Sequence, residues 1–222
     1  MLKLNKLYLM DCMEGMKQFP DKYFDLAIVD PPYGIDINNQ NMWTGKHKDC
    51  KKWDKIIPDK EYFDELFRVS VDQIIWGGNY FIDYIYHTRC FLIWDKMNGT
   101  NDLADAELAW TSFDKTIRIF RMHHFSKGYD NKIHPTQKPV QLYKWILHNY
   151  AKPDMKIIDT HVGSGSSIIA FLDFGCDWIG FEIDEDYHKA ASERIEIHKK
   201  RPKPFFTDGE LADKDSKQKG FF

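Results

Sequence analysis

Asp30, Pro31, Pro32 and Tyr33 close a hydrophobic run in the string IVDPPYGID, residues 28–36. An ionised aspartate only accepts hydrogen bonds, and with an ordinary pKa of about 3.9 it is charged at neutral pH. The two prolines fix φ and carry no N–H, so the corner is stiff and presents carbonyls without competing donors. Such a corner suits a substrate that brings N–H bonds to it, and Tyr33 adds an aromatic face. A strand followed by a rigid turn would give the same string without any chemistry.

A second stretch, KIIDTHVGSGSS over 156–167, ends a strand at Asp159, turns through small residues and opens a helix. Glycines let backbone approach a ligand closely, and a helix N-terminus offers free N–H groups. The stretch is not a GxGxxG fingerprint, because position 168 is Ile, and no GK[ST] follows as in a P-loop. Alone, it also describes a plain strand-to-helix turn. Glu182 shifts the balance: it stands nineteen residues after Gly163, at the end of the strand in WIGFEID. An acid there is where nucleotide-binding α/β folds grip a ribose. A ribose-bearing ligand without a pyrophosphate is expected, and S-adenosylmethionine meets both conditions. A third stretch, HPTQKP at 134–139, sets a hydroxyl, an amide and an ammonium between two prolines before a helix. These groups suit the amino-acid end of such a ligand, and the plainer reading is a capping loop with Thr136 near the N-cap.

The elements that must position these residues follow from hydrophobic periodicity. Strands are predicted over 7–10, 25–30, 73–77, 90–94, 107–113, 116–122, 156–160 and 178–183, several as continuous apolar runs typical of strands covered on both faces. Helices are predicted over 59–70, 138–151, 166–175 and 184–200, with Pro139 at the first helical position and Pro153 behind the helix. Strands alternating with helices imply an α/β protein with a mostly parallel sheet and helices on both faces. One domain over 1–200 is expected, with a long mobile loop at 34–57 and a polar tail at 201–222.

Composition agrees with one globular domain: 222 residues, 43% hydrophobic and 29% charged. No apolar run approaches the roughly 18 residues of a membrane span, and the broken start, MLKLNKLYLMDCMEGM, is unlike a secretory signal. The four cysteines lie far apart with no CxxC, which argues against a cysteine zinc site and for reduced thiols in a cytoplasm. The net charge of −3 excludes a uniformly basic nucleic-acid binder, yet GKHKDCKKWDK at 45–55 holds five lysines against two aspartates. Lys46, Lys48, Lys51 and Lys52 are therefore candidate phosphate contacts, a solvated loop being the plainer reading.

DPPY, then HPTQKP, then a DxxxGSGS turn, in that chain order, resembles the S-adenosylmethionine-dependent amino-methyltransferases of DNA, which modify adenine N6 or cytosine N4. With DPPY first and the glycine turn late, the order is similar to their circularly permuted beta group, and the resemblance covers nearly all of 7–198. It implies a Rossmann-like fold and a role for each matching position. Asp30, Pro31, Pro32 and Tyr33 would form the catalytic corner. Asp159, Gly163, Ser164, Gly165 and Ser166 would form the cofactor turn, with His161 in its wall. Glu182 would hold the ribose, Asp11 would lie near the adenine, and Thr136, Gln137 and Lys138 would hold the methionine end. WGGNYF at 76–81 resembles a family segment near the active site. No metal is implied. The commoner turn reads DPFxGSGT, so Thr160, His161 and Ser166 stand at its Pro, Phe and final Thr places, and His161 exchanges an apolar wall for a polar one. The target-recognition region is also much reduced, to 122–133.

The resemblance gives the stiff corner its chemistry. A base amine is a poor nucleophile because its lone pair is delocalised into the ring. The Asp30 carboxylate and the Pro31 carbonyl would accept its two N–H bonds and draw that pair toward the methyl group, while Tyr33 stacks on the extruded base. The absence of a Pro-Cys dipeptide removes the thiolate route to cytosine C5. The Asp of DPPY leans toward adenine N6 in DNA. Cytosine N4, adenine in RNA and a non-catalytic cofactor-binding subunit stand as alternatives. Homodimerisation and a restriction-enzyme counterpart are compatible with the resemblance.

Overall fold

A computed structural model describes residues 1–35, 57–99, 104–123 and 137–201. Most of the 34–57 loop with its four candidate lysines, Thr136, residues 124–133 and the tail from 202 lie outside the described residues. In chain order the elements are β1 (Lys6–Leu9), α1 (Cys12–Met16), β2 (Phe24–Val29), α2 (Lys60–Val69), β3 (Ser70–Trp76), a 3-10 turn (Gly78–Tyr80), β4 (Phe91–Asp95), β5 (Ala106–Thr111), β6 (Arg118–Arg121), α3 (Val140–Tyr150), β7 (Lys156–Asp159), α4 (Ser166–Phe174), β8 (Asp177–Glu182) and α5 (Glu185–Lys199). The eight strands form one sheet in the order β1-β8-β7-β2-β3-β5-β4-β6.

Five of the strand pairings are parallel, and β5 runs antiparallel to both β3 and β4. The alternation of the strands splits the core into two. Leu26 and Ile28 of β2, Ile74 and Trp76 of β3, and Trp178 of β8 pack against α3, α4 and α5 through Leu142, Ile146, Ile168, Phe171 and Ile195. Ala27, Val29, Ile75, Ile158 and Phe181 face the other way, onto Met16 of α1 and Phe63 and Leu66 of α2. Helices on both faces explain why these strands read as unbroken apolar runs.

The helix caps are local and polar. Asp59 accepts from the Tyr62 N–H at the start of α2, and Asp184 accepts from the Asp186 and Tyr187 N–H groups at the start of α5. Helix α3 begins two residues later than the sequence suggests: Pro139 is its N-cap, with extended backbone (ψ 143°), not its first helical residue. The residue before a proline is pushed out of the helical region, which keeps Lys138 outside the helix. Among the described residues no helix is long and apolar enough to cross a membrane.

The chain leaves β7 toward β8 on one side and leaves β2 toward β3 on the other. The gap between the ends of β7 and β2 is therefore a topological switch point, where open α/β sheets leave a crevice. Asp159 ends β7 and Asp30 follows β2, so both acids stand at that crevice.

Candidate active site

A cleft of about 790 Å³, counting its open mouth, lies at this point. Asp30, Pro32, Gln137, Lys138, His161, Gly163, Ser164, Ser166 and Glu182 all line it, so four separate sequence stretches converge on one cavity. Tyr143, Val162, Ile183, Asp184 and Tyr187 complete the wall.

At one end, the Tyr33 hydroxyl donates to Asp30 Oδ1 at 2.6 Å, and Lys138 Nζ meets Asp30 Oδ2 at 2.5 Å. The same ammonium donates to the Tyr33 oxygen at 3.1 Å and reaches Glu107 Oε2 at 3.0 Å. Lys96 holds the other Glu107 oxygen at 2.7 Å. The result is a chain of alternating charge, Asp30–Lys138–Glu107–Lys96, with the Lys138 side chain only 1% exposed. Burial works against the Lys138 charge, but Asp30 and Glu107 raise its pKa above the ordinary lysine value. Burial likewise opposes the Glu107 charge, and Lys138 with Lys96 holds that carboxyl below its usual value. For Asp30 burial prevails and raises the pKa, with Lys138 pulling it down and Glu107 adding to the rise.

The Tyr33 ring is packed on several sides. Tyr80 stacks on it with centroids 5.0 Å apart and planes 14° apart, and Phe81 meets it edge-on. Gly77, with φ at +73°, lets this happen: a Cβ there would run into the Tyr33 ring. The WGGNYF segment thus builds the socket of Tyr33. Tyr80 keeps 43% of its surface exposed beside that socket.

At the other end, the turn after β7 is held by acids. Asp159 is buried; its Oδ1 accepts from the His161 N–H at 3.0 Å and its Oδ2 from the Ser167 hydroxyl at 2.5 Å. Burial pushes its pKa up to about 7. Gly163 and Gly165 both adopt positive φ, 52° and 77°. The Gly163 N–H donates to Glu182 Oε2 at 2.8 Å, and the Asp184 N–H donates to Glu182 Oε1 at 2.9 Å. Burial raises the Glu182 pKa, and these two donors oppose the rise. From α5, Arg194 donates to the Ser164 carbonyl at 2.8 Å and to Ser166 Oγ at 3.0 Å, bracing the turn from behind.

Several expected residues do not face the open cleft with a free side chain. Asp11 is the N-cap of α1, accepts from the Met13 N–H at 2.7 Å and does not line the cleft. Pro31, Tyr33, Asp159 and Gly165 support the wall without lining it. Lys138 does line the cleft, but its ammonium is engaged by Asp30 and Glu107. Glu107, Tyr62 and Arg194 were not singled out by sequence, since each lies in an ordinary strand or helix pattern far along the chain from its partner, and Tyr80 was marked only as part of its segment. WGGNYF at 76–81 was the one signal near Tyr80.

The donor set fits a cationic, ribose-bearing cofactor. Asp30, Glu182 and Asp184 line the cleft, and the one lysine lining it among the described residues is already paired, so these residues would repel a pyrophosphate and welcome a sulfonium and an α-ammonium. The N6_N4_Mtase family, described as DNA methylase, matches residues 93–193. Over that stretch the chain is similar to the N6/N4 DNA methylases. S-adenosylmethionine is the methyl donor of this family. The chain is 24% identical over 206 residues to the putative methylase YubD of Escherichia coli (strain K12), covering 83% of this chain and 87% of that protein. To the type II methyltransferase M.HinfI of Haemophilus influenzae it is 25% identical over 252 residues, 90% of this chain and 70% of that one. Its fold matches the crystal structure of the M1.HpyAVI-SAM complex with a TM-score of 0.61 at 20% identity, covering 85% of this chain and 98% of that chain.

Proposed function

We propose that this protein transfers a methyl group from S-adenosylmethionine to the N6 amine of adenine in DNA. The observation that carries the reading is that the Asp30 carboxylate and the Gly163 turn line one cleft. An acceptor for the substrate amine and a seat for the cofactor are thereby neighbours, and positioning is most of what such a reaction needs.

S-adenosylmethionine supplies an electrophilic methyl on a sulfonium. The protein supplies the setting for its nucleophile. Lys138 and Tyr33 each take one lone pair of Asp30. A carboxylate has about four such sites, so both oxygens keep one for the N–H bonds of an amine. Lys138 favours the ionised form against the desolvation that raises the Asp30 pKa. S-adenosylmethionine would be held by the Gly163 turn and Glu182 and would supply the methyl, while Asp30 would meet the positive charge that develops on the amine nitrogen and would take up the proton the amine gives off. A base must first leave the stack, at a cost of a few kcal/mol. With one face of Tyr33 covered, the half-exposed Tyr80 extends the aromatic surface that receives it.

The Asp start of DPPY is what supports adenine over cytosine. DNA contact by Lys46, Lys48, Lys51 and Lys52 belongs to the same proposal: neutralising Lys51 and Lys52 should weaken DNA binding and flatten its salt dependence. The direct test is to incubate the protein with S-adenosylmethionine and unmethylated DNA, matched RNA in parallel, and to identify methylated nucleosides by mass spectrometry. N6-methyladenine in DNA, lost in Asp30→Ala, is the expected result. N4-methylcytosine would keep the mechanism and overturn the base, and methylation of RNA alone would overturn the polymer. No methylation, with the cofactor still bound, would favour a non-catalytic subunit.

A further inference from the structure

Thr160 and His161, two of the three residues that depart from the commoner family turn, are hydrogen-bonded to each other. Thr160 Oγ1 lies 2.9 Å from His161 Nδ1, and the Tyr62 hydroxyl on α2 lies 2.7 Å from the same Oγ1. Tyr62 and Thr160 are 3% and 2% exposed, so water is excluded from both hydroxyls. Tyr62 also sets its ring edge-on to the imidazole at 5.4 Å. His161 lines the cleft, and its Nε2 has no protein partner among the described residues.

Proton counting selects one polarity for this chain. Were Nδ1 protonated, it would donate to Thr160. Either the Thr160 or the Tyr62 hydroxyl would then be left buried with no acceptor, at a cost of about 1–3 kcal/mol. In the other polarity Tyr62 donates to Thr160, Thr160 donates to Nδ1, and every buried donor is satisfied. The ring proton then sits on Nε2. Burial also drives the His161 pKa down to about 4, with Asp11 opposing, so the ring is neutral near pH 7.

We propose that Tyr62 and Thr160 fix His161 as its Nε2–H tautomer, so that this N–H donates a hydrogen bond to the adenosyl half of bound S-adenosylmethionine. The inference rests on reading the cleft as the cofactor site. The adenosyl half is chosen because the turn that carries His161 is tied through the Gly163 N–H to Glu182, the ribose-side acid of that reading. His161 is thus a binding residue, and Tyr62 and Thr160 position it.

Two measurements test this. Imidazole 15N shifts of the ligand-free protein should show His161 protonated on Nε2 alone. The double variant Thr160→Val/Tyr62→Phe removes both hydroxyls without orphaning either and should show mixed tautomers. Calorimetry with S-adenosylhomocysteine and with 5′-methylthioadenosine, which lacks the amino-acid end, should give about five- to tenfold weaker binding of both ligands in His161→Phe. The double variant should weaken both in the same direction, by less. Unchanged affinity in both variants, or an Nδ1–H tautomer in the wild type, would overturn the inference while leaving the cofactor site intact. A loss confined to S-adenosylhomocysteine would overturn the adenosyl half. Failure of the wild type to bind either ligand would overturn the cofactor reading itself.

Discussion

Lys138→Met removes the buried cation beside Asp30 while keeping an unbranched side chain of similar length. In the native protein this ammonium, 1% exposed, neutralises Asp30 at 2.5 Å and Glu107 at 3.0 Å. Without it two carboxylates face each other, and only Glu107 retains a cation, Lys96. Breaking a buried ion pair from one side costs about 3–5 kcal/mol. For a domain of this size each kcal/mol lowers Tm by about 2–4 °C, so calorimetry should find a fall of about 6–20 °C. Adding Glu107→Gln removes one of the stranded charges and should recover part of that loss. The same variant should alter the pH profile of methylation. Lys138 opposes the burial that raises the Asp30 pKa, so without it that pKa rises further and the acid limb moves to higher pH. A fall in Tm below about 2 °C, or an acid limb that stays in place, would refute the view that Lys138 holds Asp30 ionised.

Other expectations follow from the same geometry. Gly77→Ala combines a strained φ of +73° with a Cβ directed at the Tyr33 ring, so methylation should fall at least tenfold while circular dichroism stays native, about 1.4 kcal/mol in the barrier being enough. Gly165→Ala, at φ +77°, should lower stability by about 1–3 kcal/mol in denaturant titration. Asp159 binds a proton more tightly folded than unfolded, because burial lifts its pKa from 3.8 to about 7. Its contribution to stability is therefore fully present below pH 3.8 and lost as pH rises to about 7. Asp159→Asn should flatten that part of the stability–pH curve, and an unchanged slope would contradict the assignment.

The strands were legible because burial on both faces writes itself as unbroken apolar runs, and all eight lie within a few residues of where periodicity puts them. Strand direction was not legible: nothing in ELAWTSF distinguishes an antiparallel β5 from a parallel one, since the hydrophobic period is the same for both. Helix α1 escaped because it is five residues long and contains a glycine. That glycine is a packing device, as a Cβ at Gly15 would run into the Phe181 ring. In the site, the residues with unusual spacing were legible and those that act through long-range pairing were not. Glu107 alternates in its strand like any surface acid, and only the fold brings it to Lys138. Asp11 also caps a helix, a role that its matching position did not announce.

The pairing of β1 with β8 joins Lys6 to Ile179, the longest covalent detour in the sheet. Closing it is slow for a chain that must first search a loop of that length. During synthesis β1 waits as an unpaired strand until β8 has been made, whereas β2 and β3 find each other earlier. Glu182, which fastens the glycine turn, arrives on the same late strand. The Asp30–Tyr33 corner can therefore take shape before the Gly163 turn is fastened, and a fastened turn marks the completion of the fold.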